Sequence, residues 1–248
     1  MPDYLKLCMR TWSKFLPEYE VVVLNYSTLD QWLVKNCYDA SLYTNFSLPK
    51  QADAIRCAVL RRHGGVWFDV DTIVTSERIH DLLRFDAEFT LLEKHIGFIT
   101  AHKNAAILRI WEKGIMLHIL LYAWCHGDGW LARRLKKFLN NYLERWDFLG
   151  NLLLKIPLKI AENTSDTIFR SIDKIAVNAF PEVECGSSTP EKYVNYYFSD
   201  APIEKALNNN GILYLHNSWT PEAYKWMPEE EFLSQNIALA KILRGILL

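Results

Sequence analysis

The stretch QADAIRCAVLRRHGGVWFDVDTIV, residues 51–74, decides the reading of the fold. Ile55, Ala58, Val59 and Arg62 recur at three- and four-residue steps, the period of an amphipathic helix, and Pro49 just upstream suits a first helical turn. Gly64 and Gly65 then supply the positive-φ residues that a helix end prefers, and VWFDVDTIV, rich in β-branched and aromatic residues, predicts a buried strand. In extended geometry Asp69 and Asp71 project to one side, a spacing at which two carboxylates serve one hard cation. Asp53 and Arg56, three apart, share a face of the preceding helix, which the glycine turn is expected to fold back toward those acids. The plainer alternatives are a surface ion pair for Asp53 and Arg56 and a chance Asp-x-Asp for the other two. Unpaired carboxylates at the end of an apolar strand are costly to bury, so a cation or sugar hydroxyls explain them better.

The stretch resembles the signature of DXD-containing glycosyltransferases of the family 32 type, related to capsular polysaccharide transferases and more distantly to the glucosylating domain of large clostridial toxins. The resemblance rests on Asp53, Arg56, Ala58, Gly64, Gly65, Trp67, Asp69 and Asp71. It implies a GT-A-like, Rossmann-like α/β fold: a nucleotide-sugar-binding mixed sheet flanked by helices. It further implies that Asp53 and Arg56, with Gly65, contact the nucleotide sugar, that Asp69 meets its ribose or sugar hydroxyls, and that Asp71 holds the metal bridging the diphosphate. A second element, GILYLHNSW at residues 211–219, predicts a strand that delivers His216, Ser218 and Trp219 to one end of the sheet. Neutral imidazole binds Mn²⁺ and imidazolium pairs with phosphate, so His216 reads either as a ligand or, like most histidines after an apolar run, as a structural residue. The resembling transferases carry a His followed by Ser-Trp that closes over the donor diphosphate. Here only Asn217 separates His216 from Ser218, a shorter interval than the family's.

With 248 residues, of which 50% are hydrophobic and 23% charged, the chain can bury a full core. A single GT-A-like domain over residues 1–248 is expected, with a helical insertion at about 103–172. A net charge of -1 offers no general attraction to polyanions, so nucleic acid is not an expected partner. Cys8, Cys37, Cys57, Cys125 and Cys185 show neither paired spacing nor Cys-x-x-Cys, which fits a reduced, cytoplasmic compartment. No signal peptide opens the sequence, and IMLHILLYAW is too short for a bilayer span.

Taken in order, residues 4–15 predict a helix and residues 16–25 a strand; the family pattern places a further strand ahead of that helix, for which Met1, Pro2 and Asp3 leave no room. Residues 27–37 predict a helix capped by Ser27 or Thr28. Then follow a short helix in TSERIHDLLRF, strands in EFTLLEK and GFITAHK with a turn near Lys94 and Gly97, and the long apolar helix NAAILRIWEKGIMLHILLYAWC. Residues 130–172 are expected to be mostly helical, SDTIFRSI included, with Arg133, Arg134, Lys136 and Lys137 clustered on a solvated face or on one that meets anionic lipid. KIAVNAFPEVE reads as one more strand and an exit loop. Residues 229–248 read as an amphipathic helix that packs on the domain or touches a bilayer.

The function expected from these readings is metal-dependent, configuration-retaining transfer of a hexose from a UDP-sugar, with Mn²⁺ or Mg²⁺ held by Asp69, Asp71 and His216. The acceptor is a saccharide or a polyprenyl-linked saccharide in capsule or lipopolysaccharide synthesis. The expected place is the cytoplasm, peripheral at the inner membrane face, and no catalytic nucleophile is identifiable. One alternative is a haloacid-dehalogenase-like phosphatase, because FDVDTIV also matches an apolar strand ending in Asp-x-Asp. Another is a catalytically silent sugar-binding protein.

Overall fold

The chain reverses direction between Phe68 and Thr72, where one long strand was expected. In a computed structural model that describes residues 1–33, 38, 42, 45–93, 95–126, 129–145, 147–162, 168–183 and 188–248, this segment forms two strands, β1 (Gly65–Phe68) and β2 (Thr72–Val74), in two different sheets. Asp69, Val70 and Asp71 make the turn between them, closed by the Thr72 N–H on the Asp69 carbonyl at 3.0 Å. The acids therefore sit in a tight turn instead of alternating along a strand. The architecture is mixed α/β, with a four-stranded mixed sheet flanked by helices, as the GT-A-like expectation has it.

The contacts divide the chain into two compact units. One comprises Val23–Trp67 and Arg84–Ser171. It contains α2 (Leu29–Trp32), α3 (Leu48–His63), β3 (Phe89–Leu92), β4 (His95–Ala101), α5 (Ala106–Cys125), α6 (Trp130–Leu143), a π-helical turn (Phe148–Leu152) and α7 (Leu153–Glu162). With β1 and β5 (Phe169–Ile172), which end at its boundaries, β3 and β4 give the sheet order β1-β4-β3-β5. β3 and β4 run antiparallel, with Phe89 opposite Ala101 and Leu91 opposite Ile99, and the register slips between Leu91 and Leu92. Every residue of β3 is buried. Its core joins Phe46, Leu60, Phe89, Ile99, Trp111 and Leu149. Gly64 ends α3 with φ 73°, and a Cβ there would stand 2.8 Å from the Lys103 nitrogen, so only glycine allows the close return of the chain at this point.

The other unit comprises Met1–Val22, Phe68–Leu83 and Ile172–Leu248. It contains α1 (Asp3–Phe15), β2, α4 (Ile79–Leu82), α8 (Pro190–Tyr197), α9 (Glu204–Leu207), β6 (Ile212–Tyr214), a 3₁₀ turn (Asn217–Trp219), α10 (Glu222–Lys225), α11 (Glu229–Ser234) and α12 (Ala238–Leu247). β2 pairs antiparallel with β6, Thr72 opposite Tyr214 and Val74 opposite Ile212. On its other side β2 is met by α1: the Trp12 indole N–H donates to the Thr72 carbonyl at 2.8 Å, and the Val74 N–H donates to the Thr11 hydroxyl at 2.9 Å. Side chains thus stand where a neighbouring strand would, and the edge is covered. Tyr4, Leu7, Cys8, Ile73, Leu213, Ile242 and Leu243 meet in the core.

Several local expectations are corrected. Residues 20–25 form no strand, because Val21, Val22 and Val23 find no sheet to pair with and stay exposed. The second helix is described only over Leu29–Trp32, Thr28 gives it no side-chain cap, and residues 34–37 lie outside the described residues, as do Lys94, Cys37 and Cys185. Gly97 stands within β4, not at a turn. Residues 169–172, expected as helix, pair into the sheet as β5, and residues 174–183, expected as strand, form turns. The C-terminal helix breaks at residues 235–237 into α11 and α12, and of the two roles expected of it α12 takes packing on the domain, with its apolar face in the core. Cys8, Cys57 and Cys125 carry buried thiols in no disulfide.

Candidate functional site

Asp71 follows a turn and precedes β2, so the antiparallel partner β6 brings the chain after Tyr214 alongside it. The Leu215 N–H donates to the Asp71 carbonyl at 3.1 Å, and two residues later the Asn217 N–H donates to the Asp71 carboxylate, Oδ2, at 3.0 Å. The two sequence elements that carry chemistry, residues 69–71 and 216–219, are therefore joined by backbone pairing. Asp69 and Asp71 are both half-buried.

A chain of hydroxyls backs this junction. The Tyr4 hydroxyl donates to the Asn217 side-chain carbonyl and also lies 3.3 Å from the Thr220 hydroxyl, which in turn lies 3.2 Å from the Tyr193 hydroxyl. Each hydroxyl has one proton. With the Tyr4 proton given to Asn217, Thr220 must donate to Tyr4 and Tyr193 to Thr220, so every dipole points along the chain toward Asn217 and the bonds reinforce one another. Burial raises Tyr4 and Tyr193 well above the ordinary phenol range, so both stay protonated and able to donate. No spacing in the sequence could have disclosed this chain, since Tyr4 lies over two hundred positions from Asn217 and Thr220.

His216 is enclosed by aromatic rings: Trp219 at 3.9 Å, Tyr193 at 5.6 Å and Phe180 at 5.8 Å between centroids. Burial pushes its imidazole down to about 4, which makes it neutral at physiological pH. Its Nε2 is buried and has no hydrogen-bond partner. A neutral imidazole with a buried, unpartnered nitrogen has the chemistry of a metal ligand or of a donor to phosphate. Ser218 is exposed, and Trp219 is half-buried with its ring against His216 and, edge-on, against Tyr193.

Asp53, Arg56, Gly65 and Trp67 belong to the other unit, so the structure gathers the expected residues into two groups. The Arg56 guanidinium donates to the Asp53 carboxylate at 3.1 Å and lies over the Trp67 ring, 5.1 Å from its centroid. Both side chains are buried, at 4% and 8% exposure, so a surface ion pair is excluded. A Cβ at residue 150 would lie 2.3 Å from the Asp53 carboxylate, so glycine there lets the backbone of the π-helical turn close over it. Gly65 stands exposed at the start of β1 with φ 99°.

Among the described residues, no three His, Cys, Asp or Glu side chains gather tightly enough to hold a metal by themselves. Mg²⁺ and Mn²⁺ sites that bind a substrate diphosphate commonly need only one or two carboxylates, the rest of the shell being phosphate and water. Asp69 and Asp71, in one tight turn, offer hard oxygens of that kind, and the Nε2 of His216 is unpartnered. Also among the described residues, no helix is long and apolar enough to cross a membrane.

A family model described as capsular polysaccharide synthesis protein matches residues 1–219, which takes in both chemical elements and everything between them. Comparison with curated proteins and with solved structures returned no match in either case.

Proposed function

Because the chain belongs to the capsular polysaccharide synthesis protein family, and so to polysaccharide biosynthesis, we propose that it is a metal-dependent glycosyltransferase. It moves a hexose, with retention, from a UDP-sugar to a saccharide or polyprenyl-linked saccharide. The observation that carries this reading is the Asn217 N–H bond to the Asp71 carboxylate, which fixes an acid against the backbone of the segment that carries His216 and Trp219. Bound there, Mn²⁺ or Mg²⁺ would supply charge neutralisation of the diphosphate leaving group. The residues of the chain supply position. Asp71 is oriented by Asn217, Asn217 by Tyr4, and Tyr4 by Thr220 and Tyr193. His216, neutral through burial, would turn its Nε2 to the metal or to a phosphate oxygen, and the exposed Ser218 hydroxyl would donate to the diphosphate. Asp69 would accept from ribose or sugar hydroxyls.

The test is Asp71→Asn, in which the amide oxygen still accepts from the Asn217 N–H while the negative charge is gone. Mn²⁺-dependent UDP-sugar binding in calorimetry should disappear and the melting temperature should hold. Unchanged donor affinity would overturn the assignment, and release of phosphate from phosphomonoesters would favour a phosphatase.

A further inference from the structure

The outward face of α5 departs from what a surface helix carries. Inward, Leu108, Trp111, Ile115 and Ile119 lie in the core. Outward, Ile110, Leu117, Leu120 and Trp124 recur at steps of seven, three and four residues and are 42%, 59%, 62% and 47% exposed. A helix that is apolar all round is normally covered on every side, so this face calls for a partner. α7 extends it. Leu153, Ile156 and Ile160 form one stripe, with the last two 62% and 56% exposed. A Cβ on Gly114 would lie 3.6 Å from Leu153, and Gly114 shares the α5 stripe with Ile110 and Leu117, so the two apolar stripes meet there.

The exposed charge on these helices is mostly positive. Lys113 on α5 and Lys155 and Lys159 on α7 are exposed beside the apolar residues, and Arg133, Arg134 and Lys137 are exposed on α6, which also packs on α5. The acids of the three helices are Glu112, buried and paired with Arg61, and Glu162 at the last position of α7.

We propose that the α5 and α7 face docks on an anionic lipid bilayer, lying in the headgroup region without crossing it. Apolar side chains flanked by lysines suit that interface, where the methylenes and rings enter the acyl boundary and the ammonium groups meet lipid phosphate. A second copy of the chain suits it poorly, since a two-fold contact would set these cations against their own copies. The inference rests on the helix faces and does not depend on the transferase assignment.

The experiment is flotation of the full chain with vesicles of phosphatidylcholine alone or mixed with phosphatidylglycerol. The protein should float with the mixed vesicles and less so in high salt. Leu117→Gln, Leu120→Gln and Trp124→Gln combined, all at exposed positions, should weaken binding roughly a hundredfold. Lys113→Gln, Lys155→Gln and Lys159→Gln combined should weaken it roughly a hundredfold on the mixed vesicles only. Leu120→Gln alone should give part of the apolar loss. Absence of flotation by the wild type, or equal flotation by the apolar variants, overturns the proposal. So does a wild-type dimer in light scattering that the apolar variant dissociates while vesicle binding stays unchanged. UDP-sugar affinity of the same variants should be unaltered, which separates failure of docking from failure of the transferase assignment.

Discussion

Arg56→Met removes the guanidinium while keeping most of the side-chain volume, and its cost can be worked from the geometry. Arg56 and Asp53 are 4% and 8% exposed, with Nη1 and Oδ1 3.1 Å apart. The Gly150 backbone lies directly against the carboxylate, as the 2.3 Å approach of a hypothetical Cβ shows. Folding has therefore already stripped Asp53 of most of its water, and removing one member of such a pair costs about 3–5 kcal/mol. Loss of the guanidinium from the face of Trp67 adds about 1 kcal/mol, part of which the methionine sulfur recovers against the same ring. A net loss of about 4 kcal/mol lowers the melting temperature of a chain this size by roughly 8–16 °C. Asp53→Asn combined with Arg56→Met removes both charges and should recover about 2 kcal/mol of that loss. Thermal melts of the wild type, the two single variants and the double variant complete the cycle. A loss below about 0.5 kcal/mol for Arg56→Met, the range of solvent-screened pairs, would refute the reasoning.

Tyr4→Phe takes away the donor to Asn217 and the acceptor for Thr220; it should cost about 1–2 kcal/mol and weaken metal-dependent donor binding. Donor affinity equal to wild type in calorimetry would mean that the hydroxyl chain does not position Asp71. His118 gives a pH prediction. Burial, aided by Lys50, pushes it down to about 4, and its Nε2 is buried without a hydrogen-bond partner. The unfolded chain therefore binds the extra proton first, so its contribution is complete above about pH 6.5 and is lost as pH falls toward 4, at up to about 1.4 kcal/mol per pH unit. His118→Phe should flatten that part of the stability profile measured by urea unfolding; identical acid slopes for the two proteins would exclude this role.

The sequence by itself determined the elements whose signal is local. The period of residues 51–63 and the glycine pair gave α3 and its end, because helix repeat and positive φ are properties of a few consecutive residues. The strand preferences of residues 89–92 and 95–101 gave β3 and β4 for the same reason. The pairing of Asp53 with Arg56 was legible from their spacing, but its burial was not, since that depends on Gly150, some hundred residues on. Only the tertiary structure decided that FDVDTIV divides between two sheets around an acidic turn: strand propensity is continuous across it, whereas hydrogen-bond partners are not. The same holds for residues 20–25, which have the residues of a strand and no neighbour to pair with, and for residues 169–172, whose neighbour β3 overrides a helical reading. The chain from Tyr193 through Thr220 and Tyr4 to Asn217 is the clearest case. Each residue is unremarkable in its own segment, and the function ascribed to them arises only when α1, α8 and the turn after β6 place three hydroxyls and an amide within hydrogen-bond reach.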